Sequence, residues 1–172
     1  MKRNASIFFT ILQLVIGLSV ITGCKQVHQD PLDYNNSLIK VLDKNTRDMQ
    51  AMNSAMTSGD YHKAADVRKA WIRHLEKAQD KVKSLGGYNG DQSFQKTVLN
   101  GLKRYKKIVA GEYAQLISIR REGLKDQSDL EREVLTKINE TFTQVGNTID
   151  REETDFDAQY GKSNELTDKF FN

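Results

Sequence analysis

The chain has 172 residues, of which 38% are hydrophobic and 28% charged, with one proline and one cysteine. That length suits one domain, and low proline with high charge suits long solvated helices better than a compact α/β enzyme. A lone cysteine excludes an internal disulfide framework and any Cys-x-x-Cys metal knuckle. Beyond Lys2 and Arg3 the chain holds 24 of its 26 basic residues against all 23 acidic ones. A nearly neutral domain lacks the positive field that nucleic-acid binding needs, so the sequence pI of 8.9 is not a nucleic-acid signal.

Lys2 and Arg3 form a short positive start. An apolar run of about 15 residues follows, from Ile7 to Ile21. It has the length of a signal-peptide core and is shorter than the roughly 20 residues that span a bilayer. Small residues Thr22 and Gly23 come next, as a peptidase site requires, and then Cys24. The run Val20-Ile21-Thr22-Gly23-Cys24 resembles the lipobox of bacterial prolipoproteins, with Ile21 in the aliphatic position where Leu is commoner. The resemblance implies a lipid thioether on Cys24, cleavage before it and acylation of the new amino group. Cysteine suits that role because its thiolate is a strong nucleophile. Several acyl chains on one residue anchor firmly, where one chain is marginal. The competing readings are an uncleaved N-terminal membrane anchor and a plain secretory signal; either leaves the domain outside the cytoplasm. Lys25 follows the cysteine where an Asp would resemble an inner-membrane retention signal. The resemblance thus implies a bacterial envelope location on the outer membrane. The organisation expected is a signal peptide over 1–23, a lipidated Cys24 with a polar tether over 24–30, and a helical domain over 31–172.

Asp30-Pro31 predicts the start of the first helix, with Asp30 as N-cap and proline at the first helical position. Its apolar stripe is Tyr34, Leu38, Val41, Leu42, Met49, Met52 and Met56, interrupted by Asn45, and Ser58-Gly59 ends it. Asp60 caps a second helix whose stripe runs Tyr61, Ala64, Arg68, Trp71, Leu75, Ala78, Val82, Leu85, a nearly unbroken heptad series stopped by Gly86-Gly87. After a turn at Tyr88-Asn89-Gly90, Asp91 is read as the cap of a third helix carrying Phe94, Val98, Leu102, Tyr105, Ile108, Val109, Tyr113, Leu116 and Ile117. Gly101 and Gly111 lie inside it and weaken it by up to about 1 kcal/mol each, unless they serve close helix contact. Gly123 ends it. Ser128-Asp129-Leu130-Glu131 reads as a capping box for a fourth helix whose stripe is Leu130, Val134, Ile138, Phe142, Val145, Ile149 and Phe156, and Gly161 breaks or frays it. Leu166, Phe170 and Phe171 form a last apolar cluster. No segment alternates with strand period. The fold class expected is all-α, an up-down-up-down four-helix bundle.

Catalytic equipment is not visible. There is no Glu-x-x-His of di-iron bundles, no HExxH, no Gly-rich phosphate loop and no nucleophile elbow. No metal and no cofactor are expected. Of the histidines, His28 falls in the tether, His62 and Asp66 stand one turn apart as a solvated pair, and His74 lies beside the second stripe as a partly exposed residue. Met49, Met52 and Met56 share a face, better explained by packing than by metal binding. Tyr61, Trp71, Tyr105 and Tyr113 are read as core with polar edges; if some line an inter-helix cleft they are the ligand contacts, with Trp71, Tyr105 and Tyr113 the candidate ligand-facing residues. Lys103, Arg104, Lys106 and Lys107 make a basic patch, answered by Asp150, Glu152, Glu153, Asp155 and Asp157 on the fourth helix. A lipobox followed by helices opening on Asp30-Pro31-x-x-Tyr34-Asn35 is diffusely similar to small helical surface lipoproteins of unassigned function from Bacteroidota and spirochaetes, which implies no activity. The expectation is therefore a non-enzymatic, membrane-anchored protein that presents a bundle to a protein partner or small ligand. The alternative is a sensor or carrier holding an apolar molecule between helices.

Overall fold

The computed structural model describes residues 30–123 and 128–161. The expected signal peptide, Cys24 and its tether, and the cluster Leu166, Phe170 and Phe171, lie outside the described residues. The elements are α1 (Pro31–Thr57), α2 (Tyr61–Leu85), α3 (Ser93–Ala110), α4 (Glu112–Glu122), α5 (Ser128–Phe156) and a π-turn (Asp157–Gly161).

Local chemistry sets most of these boundaries. The Asp30 carboxylate accepts from the Leu32 amide at 2.7 Å and opens α1, with Pro31 where no amide donor is needed. Asp60 does the same for α2, accepting from the Lys63 amide at 2.9 Å. Gly86 leaves α2 at φ +71°, a conformation that a side chain would strain. Asn89 and Gly90 both have positive φ, 48° and 89°, in a tight turn closed by the Asp91 amide on the Tyr88 carbonyl at 2.8 Å. The third cap differs from expectation. Gln92, not Asp91, precedes the helix, and Asp91 reaches past it to accept from the Ser93 amide and hydroxyl at 2.8 and 2.7 Å. At the start of α5, Glu131 accepts from Arg120 of α4 at 2.7 Å.

The third helix is continuous in hydrogen bonding but broken in geometry at Gly111. The Gly111 amide reaches Lys107 and the Gln115 amide reaches Gly111, each at 3.0 Å, while Gly111 itself sits at ψ −78°. Arg68 of α2 donates to the Ala110 carbonyl at this break, at 3.1 Å. That is how this stripe residue reaches a polar partner from a half-buried position. α3 and α4 therefore act as one rod, and the molecule is an all-α, up-down-up-down bundle of four rods. α2 packs between α1 and α3, and α5 packs against α3 and α4. α1 also meets the π-turn that follows α5, where Asn35 donates to Glu153 and Asp157 at 3.1 and 3.2 Å.

The core follows the heptad stripes. Leu38, Met52, Ala64, Trp71, Val82, Val98, Leu102 and Val109 are fully buried, each large apolar side chain contributing about 1.5–3 kcal/mol. Met52 and Met56 are buried and Met49 half-buried, so the methionine face is packing. At the lower end, where α1 begins and α5 ends, Tyr34, Tyr88, Phe94, Phe156 and Tyr160 form an aromatic cluster with ring centroids 4.8–5.5 Å apart. The Tyr34 hydroxyl ties this cluster to the Gly86 carbonyl at 2.8 Å. Among the described residues no helix is long and apolar enough to cross a membrane.

Candidate functional site

Trp71, Tyr105 and Tyr113 converge in the middle of the bundle. Trp71 is fully buried, its ring 5.3 Å from Tyr113 and 6.2 Å from Phe142, and Tyr105 stacks on Phe142 at 4.8 Å. The Trp71 indole N–H donates to Asn45 Oδ1 at 2.7 Å, a buried bond between α2 and α1. Burial pushes the Tyr113 phenol up to about 12. Tyr105 also rises to about 12, mainly by burial and further by the Asp150 carboxylate. The three residues that a cleft would have offered to a ligand thus meet in ring-on-ring packing. They line none of the surface hollows considered below.

Two of the four cations of the basic patch expected on the third helix have partners within the fold. Lys106 pairs with Glu76 of α2 at 2.7 Å, and Arg104 donates to Gln144 of α5 at 2.6 Å. Arg104 and Lys107 border a hollow of about 280 Å³ that Glu112 and Glu140 also line. The acids that answer the patch are therefore not the Asp150–Asp157 group: Glu153 and Asp157 instead hold Asn35. His62 is exposed, and Asp66 faces Lys69 at 3.5 Å rather than His62.

A different concave surface stands out, between α1 and α2. A groove of about 430 Å³ is lined by Lys40, Lys44 and Arg47 from α1 and by His74, Lys77 and Lys81 from α2. Val41 and Ala78 form its apolar floor, and Asp43 is the acid at its rim. Helical spacing builds it: the α1 cations recur at four and three residues, as do the α2 groups, so each set shares one face. Beneath lies Asp48, 7% exposed, with one carboxylate oxygen 3.3 Å from Lys44 Nζ and the other 2.8 Å from His74 Nδ1. Among the described residues, Lys40, Arg47, Lys77 and Lys81 have no carboxylate within ion-pair distance.

No protein-family model, curated protein or solved structure matches the chain. Among the described residues, no three His, Cys, Asp or Glu side chains gather as a metal site requires.

The sequence stripe passed over Asp48. A signal for it was present: Tyr34, Leu38, Val41, Asn45, Asp48, Met52 and Ala55 run in unbroken steps of four and three, and all are buried. Asp48 is thus a core-stripe residue, and Lys40, Lys44 and Arg47, which precede it on α1, are the signal for a groove.

Proposed function

We propose that the chain is a non-enzymatic, lipid-anchored envelope protein that presents the outside of a helical bundle to a binding partner. The carrying observation is Cys24, placed directly after a basic start, an apolar run of signal-peptide length and two small residues. Acyl chains on Cys24 would hold the chain to the outer membrane. Only the six residues from Lys25 to Asp30 separate that anchor from α1, a reach of at most about 20 Å. The lower end of the bundle, with Tyr34 and the π-turn, would then lie nearest the lipid. The packing of Trp71 against Tyr113 and Phe142 favours recognition on outer faces over an apolar guest between the helices.

Replacing the anchor residue tests this reading. Cys24→Ser is expected to abolish incorporation of labelled palmitate in a bacterial host and to leave an uncleaved or released product. A Cys24→Ser protein that still takes up the label would refute lipidation at this site.

A further inference from the structure

We propose that the groove between α1 and α2 is a binding site for a small anion carrying at least two negative charges, phosphate-bearing rather than acidic peptide. Building this groove is costly. Lys40 and Lys44 stand one turn apart on α1, as Lys77 and Lys81 do on α2, and all four line the same groove. Like charges at that spacing oppose helix formation, and setting two such ladders across one groove adds to the repulsion. Yet the chain as a whole is close to neutral, and some cations elsewhere are matched, as Lys106 is by Glu76 and Arg120 by Glu131. The concentration is local. Among the described residues, four of its cations have no carboxylate within ion-pair distance, and Asp43 is the one acid that lines the groove with them.

The groove also has a supported floor. Asp48 is buried, and it fastens Lys44 and His74 at 3.3 and 2.8 Å. A carboxylate in that position orients two of the groups that line the groove from below, without standing in the groove itself. With Nδ1 taken by Asp48, His74 has Nε2 left for a ligand. The supporting residue and the two supported ones come from both helices, so the groove is held in shape by α1 and α2 together.

Size and chemistry fit such a ligand. The volume falls within the usual range for small-molecule sites, roughly 300–1,000 Å³. Lysines act as point charges and Arg47 offers a planar fork, a combination suited to phosphate oxygens. A phosphate carries roughly two charges near neutral pH, so one or two such groups balance these cations better than single carboxylates do. Val41 and Ala78 leave a short apolar strip for the carbon stem between charged groups. A phospholipid headgroup and a soluble phosphate compound share this chemistry. The inference stands on the groove and does not require lipid on Cys24.

Calorimetric titration decides it, on the full-length protein in neutral detergent and on its Cys24→Ser variant, so that a failed anchor and a failed groove give separate results. One arm adds sodium triphosphate and another adds micelles doped with phosphatidylglycerol, at about 0.15 M salt, where exposed charges are screened beyond about 8 Å. Saturable binding at one per chain is expected in at least one arm, weakened by at least about tenfold in Lys40→Ala/Lys77→Ala, which removes two charge-assisted contacts. Lys103→Ala/Lys107→Ala makes the same change of charge outside the groove and is expected to stay within about twofold. Triphosphate binding would assign a soluble phosphate and doped-micelle binding alone a headgroup; both sustain the site. It is overturned by saturation in neither arm, by equal loss in the control variant, or by preference for an oligoglutamate peptide of equal charge. The groove variant is also expected to melt slightly higher without ligand, because repulsion is relieved. Melting lower would make the two lysines structural and remove the case for a site.

Discussion

Where α3 crosses α5, a Cβ built on Gly101 would come within 2.8 Å of Val145 Cγ1 and 3.0 Å of Ile149 Cδ1. Where α1 runs beside α2, the buried and half-buried positions include Asn45, Asp48, Trp71 and His74, joined by hydrogen bonds of 2.7 and 2.8 Å. The first seam is specified by shape: a missing side chain on one helix receives branched side chains from the other. The second is specified by donors and acceptors, which fix the register of two helices but keep polar atoms near the surface. The difference explains why the hollow with the cations lies on the α1–α2 side. A seam that buries a carboxylate must bring cations to it, and their neighbours on the same helical faces then gather around an opening.

The largest effect expected acts on both seams at once. Tyr34, Tyr105 and Tyr113 are all held protonated by burial, up to about 12 from an ordinary 10.0. A raised phenol adds stability that is complete below pH 10, where the unfolded chain's tyrosines are also neutral, and that drains away as the pH climbs through about 12. Tyrosinate absorbance is expected to rise in part and then complete its rise together with loss of helical circular dichroism. Full tyrosine ionisation with the helix signal intact would mean that these hydroxyls are far wetter than their packing implies.

Trp71→Ala comes next. The side chain is fully buried, stacks with Phe142 and touches Tyr113, so its loss is expected to cost about 3–5 kcal/mol in denaturant unfolding. Asn45→Ala separates the polar part of that total. It leaves the indole N–H without its buried partner, which costs about 1–3 kcal/mol. A neutral Asn45→Ala would show that the bond contributes register but no stability.

Gly101→Val tests the apolar seam. The added side chain must displace Val145, which is stiff at its only rotatable bond, as well as the flexible end of Ile149. A net loss of about 1–3 kcal/mol is expected, despite the gain in helix propensity over glycine. The same substitution at Gly146, whose Cβ would meet nothing within 4 Å, is expected to lose nothing by overpacking. Equal losses at the two glycines would mean that the close approach of α3 and α5 is not what Gly101 provides.

How far the sequence foretold this follows from which signals are local. Helix number, the stripe of α2, that of α5 from Val134 onward, and the caps at Asp30 and Asp60 depend on spacing and on residues a turn apart, and are legible; Leu130, expected on the α5 stripe, is 37% exposed in the helix's first turn. Tyr88 was read only as part of a turn. It is buried against Tyr34 and Phe156, partners far away in the chain that no local pattern names. The roles of the two internal glycines were likewise undecidable from spacing: Gly101 admits a neighbouring helix, while Gly111 marks a break in its own. The basic patch was sought on the helix with consecutive cations. Consecutive residues spread around a helix, so Lys106 and Lys107 separate into different surroundings. Cations at three- and four-residue spacing converge, and with an equally spaced partner helix they make a groove.

The smallest effects expected concern two histidines of α2. His62 is exposed, with no hydrogen bond to Asp66, so His62→Ala is expected to stay within about 0.5 kcal/mol of the parent. His74 is different because of what it touches. Its Nδ1 lies 2.8 Å from an Asp48 oxygen, and Asp48 is nearly buried. His74→Ala removes one of two partners from that carboxylate. Lys44 remains at 3.3 Å, and solvent from the groove can reach the vacated place, so the loss expected is about 1 kcal/mol rather than the larger value for stranding a sealed charge. Asp48→Asn in the same background then separates the two contributions: if His74 acts through Asp48, its substitution costs less once the charge is gone. A His74→Ala loss no larger than that of His62→Ala would mean that Lys44 and water satisfy Asp48 alone, and the α1–α2 seam would then differ from α3–α5 in its apolar packing only.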